Sequence, residues 1–370
     1  MVSFMPSDDQ KMIQDMARDF AVNELRPKAR DCDEKDTIPE QVLQAGWELG
    51  MVNAVLPAEC GGSGMERSAV TGALMCEELA WGDLSMALAL LAPALFAYPV
   101  MEFGTDGQKQ KYLPRFCEPK FVRATAALCE PALDFDLSAL KTRADKKGAG
   151  YVLNGHKCLV PLGTSSEFYM VYAALDGKPG YENVAGFIVE KGAAGLKIIE
   201  REKNMGLKAL ETAELKLENL ELPAESRLGG DQGCDFKRIA SLSRVALSAM
   251  AAGVGRASFE YARQYAKDRV AFGEPIAHRQ AIAFMLAEMS WEADAIKLMS
   301  WEAAWELDQK KPEAFKEACL AKLYAEQSVM WITDCGVQIL GGHGYIREHP
   351  VELWLRNGRG FAVLEGTATV

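Results

Sequence analysis

Apolar positions in the first 117 residues recur at helical spacing. Ile13, Met16, Phe20 and Val22 follow Ser7, Asp8, Asp9 and Gln10 at near-helical intervals. Ser7 fits an N-cap and the aspartates an acidic first turn, so a helix is predicted to begin there. Leu56-Pro57 and the run Cys60-Gly61-Gly62-Ser63-Gly64 hold too many breakers for a helix and predict a loop. Leu84 to Met101 is nearly uncharged and close to the shortest length that spans a membrane. Pro93 and Pro99 would break such a span and Asp83 stands at its mouth, so a helix buried in a large bundle is predicted instead.

From about Lys120 to Gly229 the period shortens towards two. Tyr151-Val152-Leu153 and Phe168-Tyr169-Met170-Val171-Tyr172 predict strands, with Asn154-Gly155 as a turn. Ala213, Leu215 and Leu217 alternate with Glu214, Lys216 and Glu218, the pattern of a strand with one wet face. Pro223 and the Gly229-Gly230 pair close this region. Asp235 to Ala304 and Pro312 to Ile339 return to long helical patterns. The predicted class is therefore α+β: an N-terminal helical domain over 1–118, a middle β domain over 119–229 and a C-terminal helical bundle over 230–370.

Composition narrows the partners more than the fold. At 370 residues the chain exceeds one ordinary core. With 49% hydrophobic and 25% charged residues it reads as a soluble globular protein. A net charge of −11 argues against nucleic acid or an anionic membrane as a partner. Nine cysteines without a CxxC pair indicate neither a disulfide framework nor a zinc site, and a reducing cytoplasm is expected. The N-terminus lacks the basic-then-apolar order of a secretory signal.

Two strings carry chemistry. Gln338 to Thr369 reads QILGGHGYIREHPVELWLRNGRGFAVLEGTAT. Gly341, Gly342 and Gly344 let backbone approach a bulky ligand, since no Cβ stands in the way. Glu365 is a lone carboxylate between Leu364 and Gly366, where partial desolvation would raise its pKa towards that of a working base. The second string is Arg269-Val270-Ala271-Phe272-Gly273-Glu274-Pro275-Ile276, with Gln280 shortly after. An arginine just past a helix, beside an aromatic and a glycine turn, suits a diphosphate. His343 and His349 have no cysteine or paired carboxylate at ligand spacing, so they are expected to be surface or packing histidines and no metal is predicted.

These strings, the Gly-rich loop at 61–64 and the helical–β–helical order resemble the acyl-CoA dehydrogenase family over essentially the whole chain. The family comprises flavoenzymes that oxidise acyl-CoA thioesters. The resemblance implies an FAD cofactor, an acyl-CoA substrate and a 2,3-enoyl-CoA product. It implies that Glu365 removes the α-proton while the flavin takes the β-hydrogen as hydride. Arg269, Phe272 and Gln280 match residues that bind the FAD of a neighbouring subunit. Gln338, Gly341 and Gly342 match those that cradle its adenosine end, and Thr367 a threonine that touches the cofactor. Arg244 matches an arginine lining the CoA channel. Further implications are an electron-transfer flavoprotein as acceptor and a homotetrameric assembly.

The middle region departs from the family pattern. Where relatives read Thr-Glu-Pro-x-Ala-Gly-Ser-Asp, this chain has Cys129-Glu130-Pro131-Ala132-Leu133-Asp134-Phe135-Asp136. The family's threonine and serine face the flavin and the acyl-CoA, so Leu128, Cys129 and Phe135 are expected beside the ring, and Phe135 also beside the substrate. The Trp-Ile-Thr-Asn strand becomes Leu159-Val160-Pro161-Leu162, so the indole that covers the flavin in the family is lost, and Pro161, expected beside the cofactor, has no N–H to donate. Ser241 replaces the aspartate of a Leu-Asp-x-x-Arg string. Ser243 stands where some members carry their base, but a serine cannot act as one unaided, which leaves Glu365. Two other classes follow from these departures: a non-catalytic acyl-CoA-binding subunit of a mixed oligomer, and an oxidase or desulfinase on the same fold.

Overall fold

The computed structural model describes residues 5–370; the first four residues of the stretch read for a secretory signal lie outside the described residues. Seven helices come first: α1 (Asp8–Phe20), α2 (Ala29–Lys35), α3 (Glu40–Glu48), α4 (Ala69–Gly82), α5 (Leu84–Leu91), α6 (Ala94–Phe103) and α7 (Asp106–Tyr112). Ser7 caps α1 as its sequence predicts. Its Oγ accepts the Gln10 N–H at 3.2 Å and Gln10 Oε1 accepts the Ser7 N–H at 2.9 Å, a reciprocal capping box. The apolar stretch from Leu84 is buried inside the protein. Pro93 parts α5 from α6 as expected, but Pro99 lies within α6. Burial of α6 from Ala94 to Val100 holds that helix together despite the donor that proline lacks.

The middle region forms one seven-stranded sheet from β1 (Ala124–Ala127), β2 (Arg143–Lys147), β3 (Gly150–Pro161), β4 (Phe168–Leu175), β5 (Val184–Glu190), β6 (Leu196–Arg201) and β7 (Thr212–Leu222). The order is β1-β4-β2-β3-β7-β6, with β5 paired to β4. Strand β7 alternates as read: Ala213, Leu215 and Leu217 are buried while Lys216 and Glu218 are exposed. Asn154-Gly155 is not a turn. It lies inside β3 at an irregularity opposite β7, where the Thr142 side chain fills the space a Cβ on Gly155 would need. The β2–β3 hairpin turns instead at Gly148, with φ at +57°.

The remaining elements are α8 (Phe236–Asp268), a two-stranded hairpin of β8 (Val270–Ala271) and β9 (Glu274–Pro275), α9 (Gln280–Asp308), α10 (Ala314–Leu340), α11 (Gly342–Tyr345) and α12 (Val351–Gly360). Helix α8 is the axis of this bundle, buried at every residue from Val245 to Gly255.

One buried ion pair ties the sheet to the segment that leaves β1. Lys157 on β3 is fully buried, and its Nζ donates to Glu130 Oε1 at 2.9 Å and to the Leu128 carbonyl at 3.0 Å. Glu130 also accepts the Lys141 and Thr142 N–H groups at 2.7 and 2.8 Å. Burial alone would raise the Glu130 pKa; the Lys157 ammonium and the Thr142 donors outweigh it and hold the carboxyl below its ordinary value. Removing one partner would leave a charge without its counter-ion. Glu130→Ala is expected to lose about 3–5 kcal/mol of stability, read by chemical denaturation, whereas a Glu130→Met, Lys157→Met double variant is expected to lose much less.

Candidate active site

Glu365 stands on the loop that follows α12, with its side chain 19% exposed. Arg244 reaches it from the third turn of α8, with Nε 3.2 and 3.4 Å from the two carboxylate oxygens. Its Nη1 donates to Cys319 Sγ of α10 at 2.8 Å, and its guanidinium lies 5.9 Å from the centre of the Phe315 ring. Burial works to lower the Arg244 pKa, but the Glu365 carboxylate, aided by Cys319 and Tyr181, holds it above its ordinary value. Leu364 and Gly366 flank the carboxylate as buried neighbours, and folding adds a cation to them. The dominant neighbour of the carboxylate is a cation 121 residues away in sequence, on another element.

The main chain around Glu365 is equally fixed. Gly366 has φ of +66°, and a Cβ there would lie 2.5 Å from Leu128 Cδ2. The Gly366 N–H donates to Ser243 Oγ at 3.1 Å, and the Cys129 thiol donates to the Glu365 carbonyl at 3.0 Å. Burial pushes the Cys129 thiol up to about 12, so it stays protonated and able to donate. Thr367 is buried, and its hydroxyl has no hydrogen-bond partner among the described residues. Such orphans are rare in native proteins, and a polar atom of a bound ligand would satisfy this one.

The residues expected beside a flavin ring make contacts of their own within the protein. Cys129 directs its sulfur to the Glu365 carbonyl, because Glu365 offers the acceptor nearest this buried donor. Its own carbonyl takes the Cys158 N–H at 3.0 Å. Leu159 adopts φ of +53°, and its N–H donates to both oxygens of Glu202 at 3.0 and 3.1 Å. Pro161 is buried, and the Leu162 N–H is taken by the Glu211 carbonyl at 2.7 Å. Phe135 is half-buried against the helical core. The N–H groups of Cys158, Leu159 and Leu162 are thus already spent within the protein.

A second face gathers the other candidates. Arg269 caps the C-terminal end of α8, exposed and without an ion-pair partner among the described residues. Phe272, 96% exposed, sits in the β8–β9 turn, and Gln280 opens α9 at the surface. Phe272, Ile276, Ile282 and Ile339 line one groove of about 530 Å³. Gln338 and Gly341 close α10 beside it, and a Cβ on Gly341 or Gly342 would meet open space. His343 and His349 belong to an aromatic cluster, bonded to Tyr265 Oη at 3.2 Å and Tyr261 Oη at 2.7 Å. Arg269 lies 25 residues beyond Arg244 on the axis of α8, which at the rise of an α-helix is about 37 Å. One chain therefore holds the two sets of candidates far apart.

Models of the acyl-CoA dehydrogenase N-terminal, middle and C-terminal domains match residues 7–120, 125–220 and 236–370. The chain belongs to the acyl-CoA dehydrogenase family. Among its relatives, cyclohex-1-ene-1-carbonyl-CoA dehydrogenase of Geobacter metallireducens is 36% identical over 98% of this chain and 95% of its own. Butyryl-CoA dehydrogenase from Megasphaera elsdenii superimposes with a TM-score of 0.88 at 31% identity, over 100% of this chain and 96% of that one. A chain in the structure of the electron transferring flavoprotein of Acidaminococcus fermentans has a TM-score of 0.88 at 32% identity, with the same coverage.

Among the contributors that local sequence pattern does not reveal are Cys319, Glu202 and the structural use of Ser243. Cys319 and Glu202 are single residues with no local motif, joined to the site only by folding. Ser243 was visible as the neighbour of Arg244, but nothing in a serine beside an arginine points to the Gly366 N–H. The strain built into the Glu365 turn is testable. Gly366→Ala forces a side chain onto a positive φ and against Leu128, and is expected to lose about 1–3 kcal/mol of stability, read as a lower unfolding midpoint.

Proposed function

We propose that the protein is an FAD-dependent acyl-CoA dehydrogenase that converts an acyl-CoA thioester to a 2,3-enoyl-CoA, with Glu365 as the base. The observation that carries this reading is the fixed Glu365 turn, clasped by Arg244 and Ser243 of α8, in a chain that aligns along almost its whole length with acyl-CoA dehydrogenases. The thioester acidifies the α C–H, and the Glu365 carboxylate accepts that proton. FAD, when bound, supplies the acceptor for the β-hydrogen. Arg244 brings a positive charge to the side of this largely buried carboxylate.

The residues present fit FAD at two places. The orphaned Thr367 hydroxyl stands ready beside the base, and Arg269, Phe272, Gln280, Gln338, Gly341 and Gly342 offer free donors, a bare ring and open backbone on one face. A span of about 37 Å along α8 exceeds the reach of one FAD. In this reading the second set therefore serves the site of another copy. An apolar stripe supports such assembly: Phe284, Trp291, Leu298 and Trp305 are exposed at seven-residue intervals on α9. Intervals of seven drift by only about 20° on a straight helix, so the four side chains share a face. A homotetramer is the assembly we assign. An electron-transfer flavoprotein is the electron acceptor we assign, supported by the likeness to a chain in a structure of such a protein. Nine free thiols suit a reducing cytoplasm.

Glu365→Gln is expected to keep its FAD and to lose turnover by about 10²–10⁴-fold, because an amide cannot accept the α-proton. Near wild-type oxidation of an acyl-CoA by that variant would remove Glu365 from the mechanism. Arg269→Ala is expected to lower flavin content and to shift the oligomer towards smaller species on gel filtration. Unchanged flavin and unchanged size would sink the shared-site reading.

A further inference from the structure

We propose that Cys129 and Ser243 act as a pair of positioning residues that aim the catalytic carboxylate by clamping the single peptide unit between Glu365 and Gly366. This rests on the reading of Glu365 as the base. The Glu365 carbonyl and the Gly366 N–H are the two polar groups of one planar peptide. The first accepts the Cys129 thiol at 3.0 Å, and the second donates to Ser243 Oγ at 3.1 Å. Both clamping side chains are buried, as is Leu128, which lies where a Cβ on Gly366 would stand.

The need for a clamp follows from where Glu365 sits. The segment after α12 belongs to no helix or strand, so no ladder of backbone bonds fixes the plane of this peptide. Two side chains from different parts of the fold take over that work. Cys129 comes from the segment after β1, itself pinned by the Lys157–Glu130 pair and by the Cys158 N–H. Ser243 is the residue next to Arg244, so adjacent positions of α8 hold the peptide N–H and the carboxylate of the same glutamate. A turn of the peptide plane would break both bonds at once and swing the Glu365 side chain off its partner. The cysteine that departs from the family pattern thus has a task in the protein's own turn, aimed at the base.

The test uses the full-length, FAD-loaded enzyme and the acyl-CoA that best bleaches the wild-type flavin, chosen from a panel that begins with butyryl-CoA and cyclohex-1-ene-1-carbonyl-CoA. Ser243→Ala and Cys129→Ala are expected to lower kcat by about tenfold or more, since small misplacements of a reacting group are costly. KM should stay within about twofold, because the change falls on the chemical step. Flavin content should hold, and the kinetic isotope effect with α-deuterated substrate should rise as proton removal becomes slower. Cys129→Ser, which keeps a donor, is expected to recover most of the rate. Wild-type kcat and isotope effect in folded alanine variants, alongside an inactive Glu365→Gln, would overturn the clamp while leaving the base in place. Loss of flavin in step with loss of rate would also overturn it, by returning Cys129 to the cofactor. Should Cys129→Ala fail to fold, Ser243→Ala and Cys129→Ser decide. If no acyl-CoA bleaches the wild-type flavin, the functional reading falls and the clamp with it.

Discussion

Helix α8 can serve as the axis of the helical bundle because the α4 backbone packs directly against it at Gly253. A Cβ at Gly253 would occupy the space of the Glu77 carbonyl oxygen. Only glycine permits that approach. Around it the helix is lined with Ala, Ser and Gly, and nothing from Val245 to Gly255 is exposed. Arg256, one residue further on, bonds Glu77 at 3.4 Å and Glu78 at 2.6 Å, which locks α4 against rotation as well as separation. A helix gripped along its middle behaves as a rigid ruler. Ser243 and Arg244 sit near one end of it and Arg269 at the other, so the distance between the two candidate clusters is set by backbone geometry and not by side-chain choice.

That rigidity explains which parts of the molecule were legible in the sequence. The capping box at Ser7, the alternation of β7 and the long helices around α8 each follow from local pattern, and each appears as read. Asn154-Gly155 shows the limit. The pair is a strong turn signal, yet here it serves close contact with Thr142 inside a strand. Pro99 is similar: a breaker by local rule, it is overruled by the burial of α6. Glu365 stands out in the sequence because its string is specific. Its surroundings do not, since Arg244, Cys319, Ser243 and Cys129 arrive from elements far away in sequence.

The departures from the family pattern also become intelligible as a set. A proline at 161 cannot donate, a leucine at 159 turns to positive φ, and the N–H it frees from the strand ladder is taken by Glu202. Leucine in that conformation is held against its own preference, a strain of about 1–3 kcal/mol that the bidentate Glu202 contact offsets. The stretch is therefore closed upon itself. It keeps its shape through its own N–H groups, held by the Glu202 carboxylate and the Glu211 carbonyl.

The chain of contacts leading to Glu365 is continuous and short-ranged. Lys157 holds Glu130 and the Leu128 carbonyl, and Cys158 holds the Cys129 carbonyl. Cys129 in turn holds the Glu365 carbonyl. From the other side α8 supplies Ser243 to the same peptide and Arg244 to the carboxylate. The sheet side and the helical bundle therefore both hold this one residue, and a shift of either would turn it. A carboxylate in a loop would ordinarily be the least rigid group in such a protein. Here it is held by bonds from two sides, each rooted in a buried element, and this makes a loop residue fit for a task that demands fixed geometry.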